Sequence, residues 1–242
     1  MSNLEALQEQ IQNYTAEEIV AWAMQHFGVN KVALASSLGA GDQVLTAMLL
    51  KASPQAHIFT IDTGRLHQET YDTMEQTSQK YNLKYEVLFP NQADIASLVG
   101  ENGPNLFYES VPKRKLCCQV RKIKPLTQHL STLQAWICGL RKDQSVTRTA
   151  IAKIEWDSAF GLLKINPLAD WSQEQVWSYI GQNNIPYNKL HDQNFPTIGC
   201  LPCTRAVEAG EDIRAGRWWW EEPEHKECGL HIQNGKLVRK ES

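Results

Sequence analysis

Lys31–Ala52 reads KVALASSLGAGDQVLTAMLLKA. Val32–Ala35 is a short apolar run of the kind that forms a buried strand, and Asp42–Lys51 has the composition of an apolar helix. The turn between them is Ser36-Ser37-Leu38-Gly39-Ala40-Gly41. A strand that feeds a helix this way aims backbone N–H groups, and the positive end of the helix dipole, at whatever lies above the sheet. Gly39 and Gly41 allow close approach or positive φ, and Ser36 and Ser37 add hydroxyl donors, so the turn suits a phosphate or sulfate. It lacks the lysine and spacing of a P-loop, and it is not G-x-G-x-x-G. Taken alone, a Gly-rich strand-to-helix turn is more often plain turn chemistry than a binding site.

Outward from this stretch the pattern repeats. His57–Ile61, Lys84–Phe89 and Ala135–Leu140 read as strands and Thr70–Tyr81 as a helix. Leu4, Leu7 and Ile11, then Ile19, Val20, Trp22 and Ala23, carry helical periodicity near the N-terminus. Ser172 with Gln175 is a capping pair for a helix bearing Val176, Trp177 and Ile180. Strands alternating with helices predict an α/β fold: a doubly wound, mostly parallel sheet covered on both faces. Cys138 then falls in a core strand. Beyond Gly210 the chain turns polar and aromatic and reads as a mobile or clamping tail outside the core. The expected division is an α/β domain over 1–209 and a tail over 210–242.

The chain has 242 residues, 42% hydrophobic and 21% charged, enough for a core that needs no disulfide staples. A net charge of -3 excludes a generally basic, nucleic-acid-coating surface but leaves room for a local basic pocket. The first residues carry Glu5, Glu9, Glu17 and Glu18 where a signal peptide would be apolar, and no window is apolar enough to span a membrane. A cytoplasmic protein is the expectation.

Six cysteines are present. Cys117 and Cys118 are adjacent within KRKLCCQVRK, flanked by Lys113, Arg114, Lys115, Arg121 and Lys122. Cys200 and Cys203 form a C-x-x-C, a usual half-site for sulfur ligation because its loop turns both sulfurs inward. Positive surroundings favour thiolates and anionic clusters. From residue types alone, buried thiols, structural zinc and an iron–sulfur centre all remain open.

Cys-Cys, about eighty residues, Cys-x-x-Cys and a late Glu-Cys-Gly-Leu-His together resemble the assimilatory adenylyl-sulfate and phosphoadenylyl-sulfate reductases. SSLGAGD, FTIDTGRLHQETY, KRKLCCQVRKIKPL, GLRKDQSVTR, INPLADWSQEQVWSYI, GCLPCTRAV and ECGLHI extend the resemblance over residues 30 to 232. It implies a fold related to the adenine-nucleotide α-hydrolases and the reduction of an adenylylated sulfate to sulfite. Family members with both cysteine pairs hold a four-iron four-sulfur cluster and mostly use adenylyl sulfate. By the resemblance, Cys117, Cys118, Cys200 and Cys203 ligate one such cluster.

The same resemblance makes Cys228 the nucleophile, forming an S-sulfocysteine that thioredoxin or glutaredoxin resolves. The chain ends 14 residues after Cys228, so the reductant is expected on another polypeptide. Glu221, Glu222, Glu224 and Glu227 precede Cys228, with only His225 and Lys226 to offset them, and nearby anions raise a thiol pKa. Closure of the tail over a cationic site would restore the thiolate. Family position assigns substrate contacts to Lys122, Arg214, Arg217 and His231, with Arg121 a weaker candidate. Arg141, with Arg148 behind it, is placed at the phosphate end. Ser36, Ser37, Gly39 and Asp42 form the nucleotide-facing loop, Asp42 binding a hydroxyl or capping the helix. Thr63, Gly64 and Arg65 follow the second strand at its carboxyl end, where ligands sit in open α/β sheets. Position 41 is glycine where many relatives carry Glu or Gln. The cluster is expected to act electrostatically and structurally, ahead of electron transfer. A homo-oligomer is compatible with this reading; nucleic acid and membrane partners are not.

Three alternatives compete. A phosphoadenylyl-sulfate reductase or dual-substrate enzyme shares the chemistry. An ATP pyrophosphatase would carry a fuller S-G-G-x-D-S loop and need no tail cysteine. A non-catalytic iron–sulfur or zinc sensor would keep its function in Cys228→Ser.

Overall fold

The computed structural model describes residues 2–144 and 151–222. Cys228 and His231, and Arg148, lie outside the described residues. Six strands form one sheet: β1 (Val32–Ala35), β2 (His57–Ile61), β3 (Glu86–Leu88), β4 (Ala135–Ile137), β5 (Ile154–Asp157) and β6 (Leu162–Ile165). Their order is β3-β2-β1-β4-β6-β5, all parallel except the β5–β6 hairpin. The chain runs outward from β1 to β2 and β3, then returns to β4 on the other side of β1. The order therefore reverses between β1 and β4, and at such a reversal the loops diverge and leave a crevice at the carboxyl ends.

The β5–β6 hairpin is missing from the sequence reading. Lys164 interrupts the apolar run of β6, yet it is buried and faces Glu155 (3.4 Å) and Asp157 (4.0 Å) of β5. A paired, buried lysine hides a strand from hydropathy.

Period-2 alternation divides the core. Val32, Leu34, Ile58, Ala135, Ile137 and Ile165 face a cluster built with α2 (Ala16–Phe27), α3 (Ala40–Ala52) and α8 (Gln173–Gln182). Ala33, Phe59, Trp136 and Cys138 face the other side with α7 (Lys124–Leu130). Thr15–Glu18 and Ser172–Gln175 both close capping boxes at helix starts. A third cluster lies apart from these and contains Cys117, Cys203, Trp218, Phe107 and Leu106.

The expectation that residues beyond Gly210 lie outside the core fails for the described part of that stretch. Trp218 is 2% exposed and Glu221 8%. Trp218 N–H donates to Cys203 O and Arg205 N–H to Gly216 O, both at 3.0 Å, so residues 216–218 are zipped onto 203–205. Three consecutive tryptophans look like surface ornament in a polar sequence. Here Trp218, with Trp220 packed against its cluster, supplies apolar area to a layer that the sheet does not reach, while Trp219 stays exposed.

No helix among the described residues is long and apolar enough to cross a membrane.

Candidate functional site

The loop after β1 is built around Asp42. Its Oδ2 accepts from Ser37 N–H (2.7 Å) and Ser37 Oγ–H (2.6 Å), and the backbone N–H groups of Gly39 and Gly139 also donate to the carboxylate. Burial pushes the Asp42 carboxyl up, and these four donors pull it back. Asp42 thus binds a hydroxyl, as the sequence suggested, but the hydroxyl belongs to Ser37. The positive φ falls not on Gly39 or Gly41 but on Leu38 (φ 61°), held there by burial and by donation from its N–H to Ser36 Oγ (3.2 Å). Gly41 serves close approach: a Cβ there would lie 3.4 Å from Gly139 O and 3.5 Å from Arg141 Nη1. Gly139 is tighter, because its Cβ would collide with Asp42 Oδ1.

A cavity of about 300 Å³ opens above β1 and β4. Ser36, Ser37, Gly39, Asp42, Thr63, Lys122, Arg141, Arg214 and Arg217 all line it. Phe59, Trp136, Leu126 and Cys138 supply an apolar wall. The Cys138 thiol is 5% exposed and pushed far up by burial, so it is inert lining. Arg141 is held by Asp143 at 2.9 Å. Four cations and three hydroxyls beside an apolar wall suit a small polyanion with a planar apolar portion.

Gly64 and Arg65 do not line this cavity. Gly64 turns the chain with φ 69°. The Arg65 guanidinium donates to Pro104 O and to Asn105 Oδ1 (3.4 Å) and lies over the Phe107 ring, 5.6 Å from its centroid. Its assignment as a substrate contact, made from its place after a strand's carboxyl end, has no support in this geometry. Arg121 is also committed: Nη1 donates to Thr63 O at 2.6 Å.

Arg121 and Lys122 sit in a π-helical turn, Gln119–Ile123, between α6 (Val111–Cys118) and α7. Such turns are frequent at functional sites because they re-aim the side chains that follow. This one sends Arg121 to the Thr63 loop and Lys122 to the cavity, directly after the paired cysteines.

The four paired cysteines share one layer. Cys117 and Cys203 are buried, Cys118 and Cys200 half-buried. Burial pushes the Cys203 thiol up to about 12, Cys200 and Cys118 add to this, and Lys122 and Arg217 oppose it. Burial likewise raises Cys117, opposed first by Arg121, with Cys200 adding. As free thiols, Cys117 and Cys203 are shifted toward the neutral form. Buried sulfurs crowded together beside cations fit a site that binds metal and gives up its protons in doing so. Among the described residues, the only three metal-capable side chains with ligand atoms within 4.8 Å of one another are His57, Glu86 and His129. The four sulfurs therefore stand wider apart than ligands of a single tetrahedral ion.

The thiol layer and the cavity are joined at the Asp62–Arg65 loop. Thr63 Oγ1 lies 3.2 Å from Cys200 Sγ, and Leu201 N–H donates to Arg65 O at 2.8 Å. On the far side of the layer, Arg114 is fully buried. Its Nε and Nη2 donate to Glu221 Oε1 (2.8 Å) and Oε2 (2.7 Å). Its guanidinium and that of Arg217 lie 4.6 and 4.8 Å from the Trp218 ring centroid. Sequence reasoning missed this pair. It grouped Arg114 with the other cations of KRKLCCQVRK and Glu221 with the tail anions, although each neutralises the other. Gln144, Gln173, Trp177 and His191 also line the cavity and are not among the expected site residues; the first three fall within segments that carry the resemblance, His191 in none.

The family model for the phosphoadenosine phosphosulfate reductase domain matches residues 31–206. The adenosine 5'-phosphosulfate reductase of Allochromatium vinosum is 51% identical over 203 residues, covering 84% of this chain and 79% of that protein. A phosphoadenylyl-sulfate reductase of Candida auris, solved as a phosphate complex, superposes with a TM-score of 0.72 at 24% identity, over 86% of this chain and 97% of its own. Yeast FAD synthetase, solved with FAD, reaches 0.55 at 15% identity over 79% of this chain and 66% of its own. At those identities the two structures show the fold alone, that of the adenine-nucleotide α-hydrolases. The match in sequence goes further, and by it this chain belongs to the phosphoadenosine phosphosulfate reductase family.

Proposed function

We propose that the protein reduces adenylyl sulfate to sulfite and AMP with electrons from a dithiol protein, thioredoxin or glutaredoxin. The observation that carries this is the continuity of cationic cavity and thiol layer: Lys122, Arg214 and Arg217 line the cavity, Lys122 and Arg217 act on Cys203, and Thr63 touches Cys200. Relatives at 46–51% identity carry the name adenosine 5'-phosphosulfate reductase, which favours adenylyl sulfate over its 3′-phosphorylated form. Competition between the two nucleotides separates the readings.

Cys117, Cys118, Cys200 and Cys203 would hold one four-iron four-sulfur cluster. A zinc ion, with Zn–S near 2.3 Å, sets its sulfurs about 3.8 Å apart; the wider spacing of these thiols suits a cluster, whose cysteines bind separate iron corners. When bound, the cluster supplies a fixed charge beside the sulfate end of the cavity. Ser36 and Ser37 face the nucleotide, Arg141 its phosphate, and Lys122, Arg214 and Arg217 the sulfate.

The Cys228 thiolate attacks the sulfate sulfur. An S–S bond forms, the S–O bond to phosphate breaks, and AMP leaves with the electron pair. A thiolate of the dithiol protein then attacks Cys228 Sγ and expels sulfite, and its second thiol resolves the mixed disulfide. Two electrons thus pass from the dithiol to sulfur. His231 assists at the substrate.

Mass spectrometry after mixing with adenylyl sulfate tests the central step. One SO3 group is expected on the peptide bearing Cys228, removable by dithiol. Cys228→Ser should bind the nucleotide and form no sulfite. An unmodified peptide during turnover would refute the mechanism, and colourless, iron-free but fully active protein would refute the cluster.

A further inference from the structure

His57 opens β2, Glu86 opens β3, and His129 lies in the last turn of α7. They meet at the amino ends of the strands, the opposite end of the sheet from the cavity. His57 Nε2 lies 2.6 Å from Glu86 Oε2, and His129 Nδ1 lies 3.3 Å from Glu86 Oε1. The three ligand atoms all fall within 4.8 Å of one another. The two imidazole rings stand at 78° with centroids 5.2 Å apart, so both face the carboxylate without stacking on each other.

His129 is nine-tenths buried, with its ring 4.4 Å from that of Phe59. Neither neutral tautomer is satisfied. With the proton on Nδ1, the buried Nε2 lone pair has no hydrogen-bond partner among the described residues. With the proton on Nε2, the Nδ1 lone pair points at a carboxylate oxygen. A cation in the gap turns that second arrangement from repulsion into coordination.

We propose that His57, Glu86 and His129 form a binding site for a divalent transition metal of the zinc class. Two imidazoles and one carboxylate suit such an ion, whereas magnesium and calcium prefer all-oxygen shells. Three protein ligands leave a fourth position, and the side chain of Glu86, 47% exposed on the edge strand, opens it to solvent. The ion would tie α7 to the β2–β3 edge. Through the π-turn, α7 is continuous with α6, the helix bearing Cys117 and Cys118. His129 Nε2 lacks the outer hydrogen-bond acceptor that metal-bound imidazoles usually have, which places the affinity at the modest end.

The test uses the full-length protein with its thiol layer occupied as purified. Zn2+ is titrated against a chromophoric chelator, and the loaded protein is measured by zinc X-ray absorption. Expected is one equivalent bound through nitrogen and oxygen at about 2.0–2.1 Å, with no sulfur near 2.3 Å. His57→Gln and Glu86→Gln, both at partly exposed positions, should each weaken that equivalent at least ~10-fold. Binding through sulfur alone, no binding by the wild type, or wild-type affinity in either variant would overturn the site.

Discussion

The loop after β1 and the thiol layer beside it hold their polar groups by opposite means. In the loop, one carboxylate collects short-range donors: Ser37 twice, Gly39 and Gly139. Everything there is local or one strand away, and the geometry depends on two glycines that let backbone approach backbone. In the thiol layer the holding pair, Arg114 and Glu221, is 107 residues apart in sequence and buried under Trp218. The first region is a self-completed anion cradle. The second is clamped from outside, while burial raises its Cys117 and Cys203 thiols and Cys200 adds to both shifts. The loop closes on its own carboxylate; the thiol layer gathers buried sulfurs beside cations, as the proposed cluster would need.

Substitutions should separate the two. The largest stability effect is expected at the clamp. Glu221→Gln leaves the buried Arg114 charge without its carboxylate, costing about 3–5 kcal/mol, or a fall in Tm of roughly 6–20 °C in a chain of this size. Calorimetry checks this, and a loss below about 1 kcal/mol would mean that the pair behaves like a surface ion pair.

Next comes Gly139→Ala. Its Cβ meets Asp42 Oδ1, Asp42 N and Gly41 C, two of them backbone or backbone-adjacent atoms with nowhere to go. Overpacking of this kind costs about 1–3 kcal/mol. Urea denaturation should show it, together with weaker AMP binding. Gly199→Ala is the counterpart in the thiol region. There the Cβ meets the guanidinium of Arg217, the far end of a flexible side chain. The side chain can swing away, so stability should change by less than about 1 kcal/mol. Displacing a proposed sulfate contact should still raise KM for adenylyl sulfate about tenfold. Equal stability losses in the two alanine variants would erase the distinction.

The smallest effect concerns His191 on the cavity wall. Burial holds its imidazole below the ordinary 6.5, with the Phe195 carbonyl and Asp192 opposing. As pH falls through 6.5 the unfolded chain takes up this proton first. Stability present above 6.5 is then lost toward the lower folded value, at no more than about 1.4 kcal/mol per pH unit. The Tm of His191→Gln should fall less than that of the wild type between pH 7 and 5.

The sequence made the strand–turn–helix at Val32–Ala52, the alternation and the Ser172–Gln175 capping box legible, because each rests on neighbours within a few residues. It also marked nine cavity-lining residues: Ser36, Ser37, Gly39, Asp42 and Thr63 through their place at strand ends, and Lys122, Arg141, Arg214 and Arg217 through the family resemblance. It failed where a residue's partner is remote. Lys164 looked wrong for a strand until Glu155 and Asp157 stood opposite it. Arg65 looked like a ligand contact because it follows a strand, yet its guanidinium turns to Pro104, Asn105 and Phe107. The tryptophans after Gly216 read as a solvated tail because nothing local shows that Trp218 covers the cysteines.

Local chemistry alone therefore determined the α/β alternation, the anion-facing turn and the pairing of the cysteines. Those follow from short-range sterics, hydrogen bonding and periodicity, which a chain carries with it. Only the tertiary structure decided which cations face the cavity and which are neutralised, and that the wider thiol spacing differs from a single-ion site. Only it brought two histidines to one glutamate at the far end of the sheet. Charge pairing and metal geometry depend on distances between segments remote in sequence, and those distances exist only once the sheet order brings the segments together.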